Sequence, residues 1–393
     1  MIQKENYKLS LDYIERFWTK ITYSHTSDRQ IHLGLPHKYV SPNDDIFKKD
    51  QFYWDSYFTI LGLVKSNKVS LAQGMVDNFI YLFKRFGIMP MRNRYYNLGT
   101  SQIPFLTSMA LEIYEHTKDL LWLKKAVNIA EMELKNYWMS EGLTEKHIVY
   151  KGLSRYCDHF ITHLGAEHES GWDMTSRFND RCLDYLPIDL NTCLYKYETD
   201  LSEVFRLLKN YDKHKYYKEQ ALKRKNMIME LMWNEEKNFF FDYNKFLGEQ
   251  SSFISVAGFY PLWAKMASEK QAERIVKYIL PLLESKGGVL NTQAYNLSEY
   301  TKQHDCPNGW PHQQWIVVKG LLNYGYKNDA ERIAKKWLDM NHELFIETGK
   351  FWEKHNVVKR GVGEFNPDRY PTQSGFAWTN AVFVRLINEF ENV

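Results

Sequence analysis

Asp173 lies in the segment Glu169-Ser170-Gly171-Trp172-Asp173-Met174-Thr175-Ser176-Arg177-Phe178, with an indole before it and a guanidinium four residues on. An apolar ring beside a carboxyl disfavours the charged form, which is what a general acid needs near neutral pH. Arg177 pushes the other way, and the spacing also suits a helix cap or an ion pair with Arg177. A second acidic group lies in Phe351-Trp352-Glu353-Lys354-His355-Asn356-Val357 and Gly361-Val362-Gly363-Glu364-Phe365. Its two acids, Glu353 and Glu364, flank a glycine-containing stretch and can face one cavity, although most glutamates are simply solvated. Asp173 and one of them would form the acid/base pair of a glycoside hydrolase. Inverting enzymes hold such carboxyls roughly 6.5–9.5 Å apart, with a water between base and sugar.

Other chemistries find less support. His163 and His168 do not have the His-Glu-x-x-His spacing, and no third ligand accompanies them. Asp44-Asp45 would need a further acid to hold Mg²⁺, and Lys48 stands in that place. There is no glycine-rich phosphate loop and no nucleophile elbow. We expect neither metal nor cofactor. With 51 basic and 48 acidic residues and a net charge of +3, the chain lacks a nucleic-acid footprint. No run approaches the ~18–20 apolar residues that span a bilayer, and Met1–Tyr7 opens no apolar signal core. Cys157, Cys182, Cys193 and Cys306 form no Cys-x-x-Cys pair, so free thiols in a reducing, cytoplasmic setting are expected.

Helices must position these residues. Leu71, Met75, Phe79, Leu82, Phe83 and Phe86 share one face, with Ser70 as the expected N-cap and Gly87 as the C-cap. A similar face recurs at Leu120, Leu123, Val127, Ala130 and Leu134, and others near 198–210, 213–233, 253–266, 269–285, 311–325, 328–345 and 375–391. Strand-like pieces such as Asn238–Tyr243 are short. No repeat period of an open solenoid appears, so the pattern predicts an all-α domain of helical hairpins closed on itself. Loops rich in Gly, Pro, Trp and Asp at 41–56, 87–104, 155–180, 304–313 and 350–376 are where a site would be built. The chain has 12 Trp, 27 Tyr and 23 Phe, which suits both a large core and a pocket stacking on sugar C–H faces.

Taken in order, the motifs resemble the trehalase family of glycoside hydrolases. Phe52-Tyr53-Trp54-Asp55-Ser56-Tyr57-Phe58 is similar to the family's Tyr-Tyr-Trp-Asp-Ser-Tyr-Phe block. Asn93-Arg94, Ser101-Gln102-Ile103-Pro104-Phe105, Ser170-Gly171-Trp172-Asp173, Pro187-Ile188-Asp189-Leu190-Asn191, Pro307-Asn308-Gly309-Trp310 and Gly375-Phe376-Ala377-Trp378-Thr379-Asn380 follow collinearly. The resemblance implies an (α/α)₆ barrel, with one catalytic domain over 1–393 and residues up to about 40 as an extension packed on the barrel. It implies Asp173 as general acid, Glu353 as base, and Trp54, Asp55, Arg94, Gln102, Gly171, Trp310 and Glu364 as substrate-binding positions. Asp55 would clamp hydroxyls, while Trp54 and Trp310 would supply stacking faces. The implied substrate is a small disaccharide, α,α-trehalose first, with no nucleic acid, membrane or metal involved.

Several positions depart from the family. Its Pro-Asn-Gly-Asn-Arg reads Pro90-Met91-Arg92-Asn93-Arg94, and an arginine position is Thr100. The loop before Ser170 is short, running from Tyr156 to Glu169, and the glycines near Glu364 are thinned to Gly361 and Gly363. Arg92 is a candidate replacement for the lost arginine, and His159, His163, Glu167 or Glu169 for the lost loop contacts. Unmet buried hydroxyls cost about 1–3 kcal/mol each, so these changes bear on the substrate. The form Glu169-Ser170-Gly171 also resembles the glucosidase and mannosylglycerate hydrolase families. Another small α-glycoside, or a silent sugar-binding barrel, is therefore the alternative expectation.

Overall fold

Largely buried helices alternate along the chain with helices that keep a charged face. The computed structural model describes residues 1–139, 146–295, 302–363 and 370–391. Its helices are α1 (Lys8–Lys20), α2 (Tyr53–Lys65), α3 (Val69–Phe86), α4 (Leu106–Thr117), α5 (Leu120–Glu133), α6 (His163–Ser170) and α7 (Ile188–Leu207). There follow α8 (Tyr211–Met232), α9 (Tyr260–Trp263), α10 (Glu269–Tyr278), α11 (Leu280–Leu283), α12 (Pro311–Asn323), α13 (Lys327–Thr348) and α14 (Ala377–Glu391).

Six of them form a closed ring: α2 packs on α4, α4 on α7, α7 on α9, α9 on α12, α12 on α14, and α14 returns to α2. These inner helices are buried nearly all round; α2 buries every residue from Tyr53 to Val64. At Gly62 an added Cβ would lie 2.4 Å from Ala381 Cα, so glycine permits the close approach of α2 and α14. Outside them, α3 bridges α2 and α4, α5 bridges α4 and α7, α8 backs α7, α13 bridges α12 and α14, and α1 backs α14. This double ring is the expected (α/α)₆ barrel. Tyr7 stands edge-on to His342 and Phe383, and Trp18 is fully buried, so residues ahead of α2 also join the core.

Some expected boundaries differ. Ser70 does not cap α3, which starts at Val69 with no side-chain cap, whereas Gly87 takes the left-handed conformation (φ 74°) as predicted. The stretch 253–266 yields only the single turn α9 after a 3₁₀ turn, and 269–285 divides into α10, α11 and a β-hairpin pairing Glu284–Ser285 with Gly288–Val289. The loop expected over 41–56 already contains the first turn of α2, and that over 155–180 contains α6. The first half of α7 is not anticipated, because its buried Asp189, Asn191 and Thr192 interrupt the apolar period.

Candidate active site

One end of the inner ring encloses a cavity of about 310 Å³. Helix starts deliver much of its lining. Trp54 and Asp55 stand in the first turn of α2, Trp310 is the N-cap of α12, and Phe376 and Trp378 flank the start of α14. The Trp54 backbone N–H, which has no partner within its own helix, donates to Gln102 Oε1 at 3.2 Å. Gly171 ends α6 in the left-handed conformation (φ 72°), and an added Cβ would meet the Trp54 ring at 2.5 Å. Only glycine serves both that turn and that contact.

Asp173 follows in an extended loop and caps no helix. Nor does it pair with Arg177. That guanidinium is fully buried and bonds Asp189 (2.7 and 2.8 Å) and Asp242 (2.7 Å, twice) while lying over the Trp172 and Phe178 rings. Arg177 thus anchors the loop and leaves Asp173 facing the cavity. Asp305 adds to the anchoring by accepting from Thr175 Oγ1 at 2.8 Å and from the Ser176 N–H. Gln303 Nε2 donates to the Asp173 carbonyl. His168 Nε2 stands 3.7 Å from Asp173 Oδ2. Burial raises the Asp173 pKa; His168 opposes that rise, and the Glu353 charge adds to it.

Glu353 comes from a different segment. A three-stranded antiparallel sheet pairs Asn308–Gly309 with His355–Asn356, and the latter with Gly361–Val362. Continued by one residue, the register sets Trp310 opposite Lys354, whose ammonium lies 5.2 Å from the Trp310 ring centre, and Glu353 is the residue before Lys354. Glu353 Oε1 accepts from the Tyr370 hydroxyl at 2.7 Å and Oε2 from Lys354 Nζ at 3.0 Å, the partners of a carboxylate. Its carbonyl accepts from Trp378 Nε1 at 3.3 Å. Burial, and then the Glu353 charge, raises Tyr370 above the ordinary phenol range, so it remains a donor. Asp55, buried and then exposed to the Glu353 and Asp173 charges, is raised to about 8.

Trp54, Asp55, Gln102, Gly171, Asp173, Trp310 and Glu353 therefore meet in one cavity. Arg94 does not line it: its guanidinium is held behind the wall by both oxygens of Asp50 (2.7 and 2.6 Å), and Arg92 lines the cavity instead. Glu364 lies outside the described residues. Trp310 offers less stacking area than expected, because His304 lies parallel on it at 4.1 Å. The expected loop replacements are engaged elsewhere. Glu169 accepts from the Cys157 N–H at 2.7 Å and faces His147 and Tyr137, while Glu167 accepts from the Thr175 N–H at 3.1 Å. His163 Nδ1 accepts from the Leu183 N–H, and His159 packs on Phe160. Leu164 and His168 of α6 reach the cavity in their place.

Sequence reasoning did not single out Tyr370, Gln303 or His304. Gln303 and His304 sit just ahead of Pro307-Asn308-Gly309-Trp310, and His304 and Tyr370 fall within the expected site loops 304–313 and 350–376, the one signal that points to Tyr370. An acid raised by burial and a carboxylate held by two donors, facing one cavity, can protonate a leaving oxygen and activate a water.

A model of the trehalase family matches residues 1–162 and 157–391. A cytosolic neutral trehalase of Beauveria bassiana is 31% identical over 436 aligned positions, which cover 89% of this chain and 58% of that protein. The chain thus spans a little over half of that relative's length. The solved neutral trehalase Nth1 of Saccharomyces cerevisiae superimposes with a TM-score of 0.79 at 28% identity, covering 90% of this chain and 74% of the other. A mannosylglycerate hydrolase of Thermus thermophilus shares the fold, with a TM-score of 0.70 at 15% identity over 96% of this chain and 99% of that one. No helix among the described residues is long and apolar enough to cross a membrane.

Proposed function

The chain belongs to the trehalase family, and we propose that it hydrolyses α,α-trehalose to two glucose molecules with inversion. Asp173 is the general acid that protonates the bridging oxygen, and Glu353 is the base that takes a proton from the attacking water. The observation that carries this reading is the contrast between the two carboxyls. Glu353 accepts from Tyr370 and Lys354, whereas Asp173 is pushed toward its protonated form by burial and the Glu353 charge. Asp55, raised to about 8, presents a largely neutral carboxyl at pH 7 and donates to a sugar hydroxyl rather than clamping it by charge. Trp54, Gln102, Gly171 and Trp310 shape the sugar site around it. Glu364 keeps only the substrate-binding role that the resemblance implies.

Four free cysteines and the cytosolic relative support a reducing, cytosolic setting. A second reading, hydrolysis of another small α-glycoside, is favoured by Met91, which puts a thioether on the wall where the family has an amide.

Proton NMR of a trehalose reaction decides between the two. Equal early α- and β-glucose supports inverting trehalose hydrolysis, because one half is inverted and the other leaves as the α anomer. No release, alongside turnover of a different α-glucoside, moves the assignment to the second reading.

A further inference from the structure

We propose that the face of α6 carrying Leu164 and His168 forms the leaving-group side of the cavity, and that the His168 ring bonds a hydroxyl of the departing sugar. The proposal rests on Asp173 being the general acid. The acid must reach the bond between the two halves of the substrate from the side of the departing oxygen, so whatever adjoins Asp173 away from Glu353 faces the leaving group.

Leu164 and His168 are four residues apart, share one helix face, and both line the cavity. His168 Nε2 lies 3.7 Å from Asp173 Oδ2, beyond direct hydrogen-bond length, and a hydroxyl oxygen beside the pair can bond both. Among the described residues the His168 ring makes no hydrogen bond, and its side chain is 60% exposed toward the open site. Leu164 is 62% exposed and offers an apolar contact to the C–H face of a sugar.

The helix behind them is fixed. Thr162 Oγ1 accepts from the Gly165 N–H at 3.0 Å, Gly171 closes the C-terminus, and Glu169 is locked among Cys157, His147 and Tyr137. His168 is thus a solvent-facing polar group presented on a rigid support beside the acid.

The test compares two substrates. Trehalose fills both sides of the scissile bond, whereas α-glucosyl fluoride has a one-atom leaving group and makes no contact with α6. His168→Ala is expected to lower kcat/KM for trehalose about tenfold or more, the worth of one hydrogen bond, with a much smaller loss on the fluoride. His168→Gln, which keeps an N–H donor, should recover part of the loss, and Leu164→Asn should raise KM for trehalose alone. Equal losses on both substrates, or none on either, would overturn the assignment. A wild type that turns over the fluoride but not trehalose counts against the trehalose reading only. The same comparison then uses 4-nitrophenyl α-glucoside, whose leaving group occupies the same side. A wild type that turns over neither substrate nor this glucoside overturns both proposals.

Discussion

Tyr370→Phe removes one oxygen, and with it the donor 2.7 Å from Glu353 Oε1, while Lys354 Nζ stays on Oε2. A hydrogen bond to a charged group contributes about 1.5–3 kcal/mol, which corresponds to about a ten- to hundredfold change in rate. The lost bond helps hold the Glu353 carboxylate toward the attacking water, so its removal should lower kcat for trehalose by about that factor with KM little changed. The assay is initial glucose release over a range of trehalose concentrations, with thermal melts of both proteins as a control on folding. A raised KM with kcat unchanged would refute the reasoning, since Tyr370 would then support the sugar-binding wall without serving the base.

The remaining predictions concern the acid, the glycine at its loop and the buried carboxyls. Asp173→Asn should lower kcat by about 10²–10⁴ with an unchanged melting temperature, measured by coupled glucose assay; near-normal turnover would sink its role. Gly171→Ala forces a side chain into a left-handed position and against Trp54, at a cost of about 2–5 kcal/mol from strain and overpacking together, read as a lowered denaturant midpoint and a raised KM. Glu133, buried beside Tyr53 and Tyr197, is raised from 4.5 to about 7. A raised acid stabilises the fold below its unfolded pKa and loses that contribution as pH climbs through the folded value. Between about pH 6 and pH 8, urea denaturation should therefore show the wild type losing roughly 1 kcal/mol more than Glu133→Gln. Parallel losses would show that Glu133 does not carry the slope.

The sequence makes the barrel and much of its site readable for different reasons. Outer helices such as α3 bear a plain apolar stripe, so period alone locates them. The buried ring is harder: α7 carries Asp189 and Asn191 into the interior, where Arg177 and loop backbone groups satisfy polar atoms that no periodicity anticipates. Trp54, Gln102, Gly171, Asp173, Trp310 and Glu353 lie in motifs whose order along the chain points to one cavity. What sequence could not supply is partnership across distance. Arg177 is four residues from Asp173 yet bonds Asp189 and Asp242, and Arg94, inside a matching motif, is spent on Asp50. Tyr370, 17 residues from Glu353, reaches its carboxyl because the sheet around His355 and the start of α14 fold both segments over the same opening.

Three carboxyls crowd the cavity, and the fold distinguishes them by what surrounds each. Glu353 is 4% exposed but has a hydroxyl and an ammonium on its two oxygens, so its charge is compensated where it stands. Among the described residues no side chain donates a hydrogen bond to Asp55 or Asp173 in this way, and burial, with the Glu353 charge added, moves both toward the neutral acid. The positive ends of α2, α12 and α14, all opening at this end of the ring, favour negative charge in the cavity. Residue type alone cannot tell an acid from a base here. The assignment follows from the placement of Tyr370 and Lys354 on one wall and of Arg177, turned away to Asp189 and Asp242, behind the other. Moving a single donor from Glu353 to Asp173 should erase that contrast and with it turnover, because each carboxyl keeps its own position at the scissile bond.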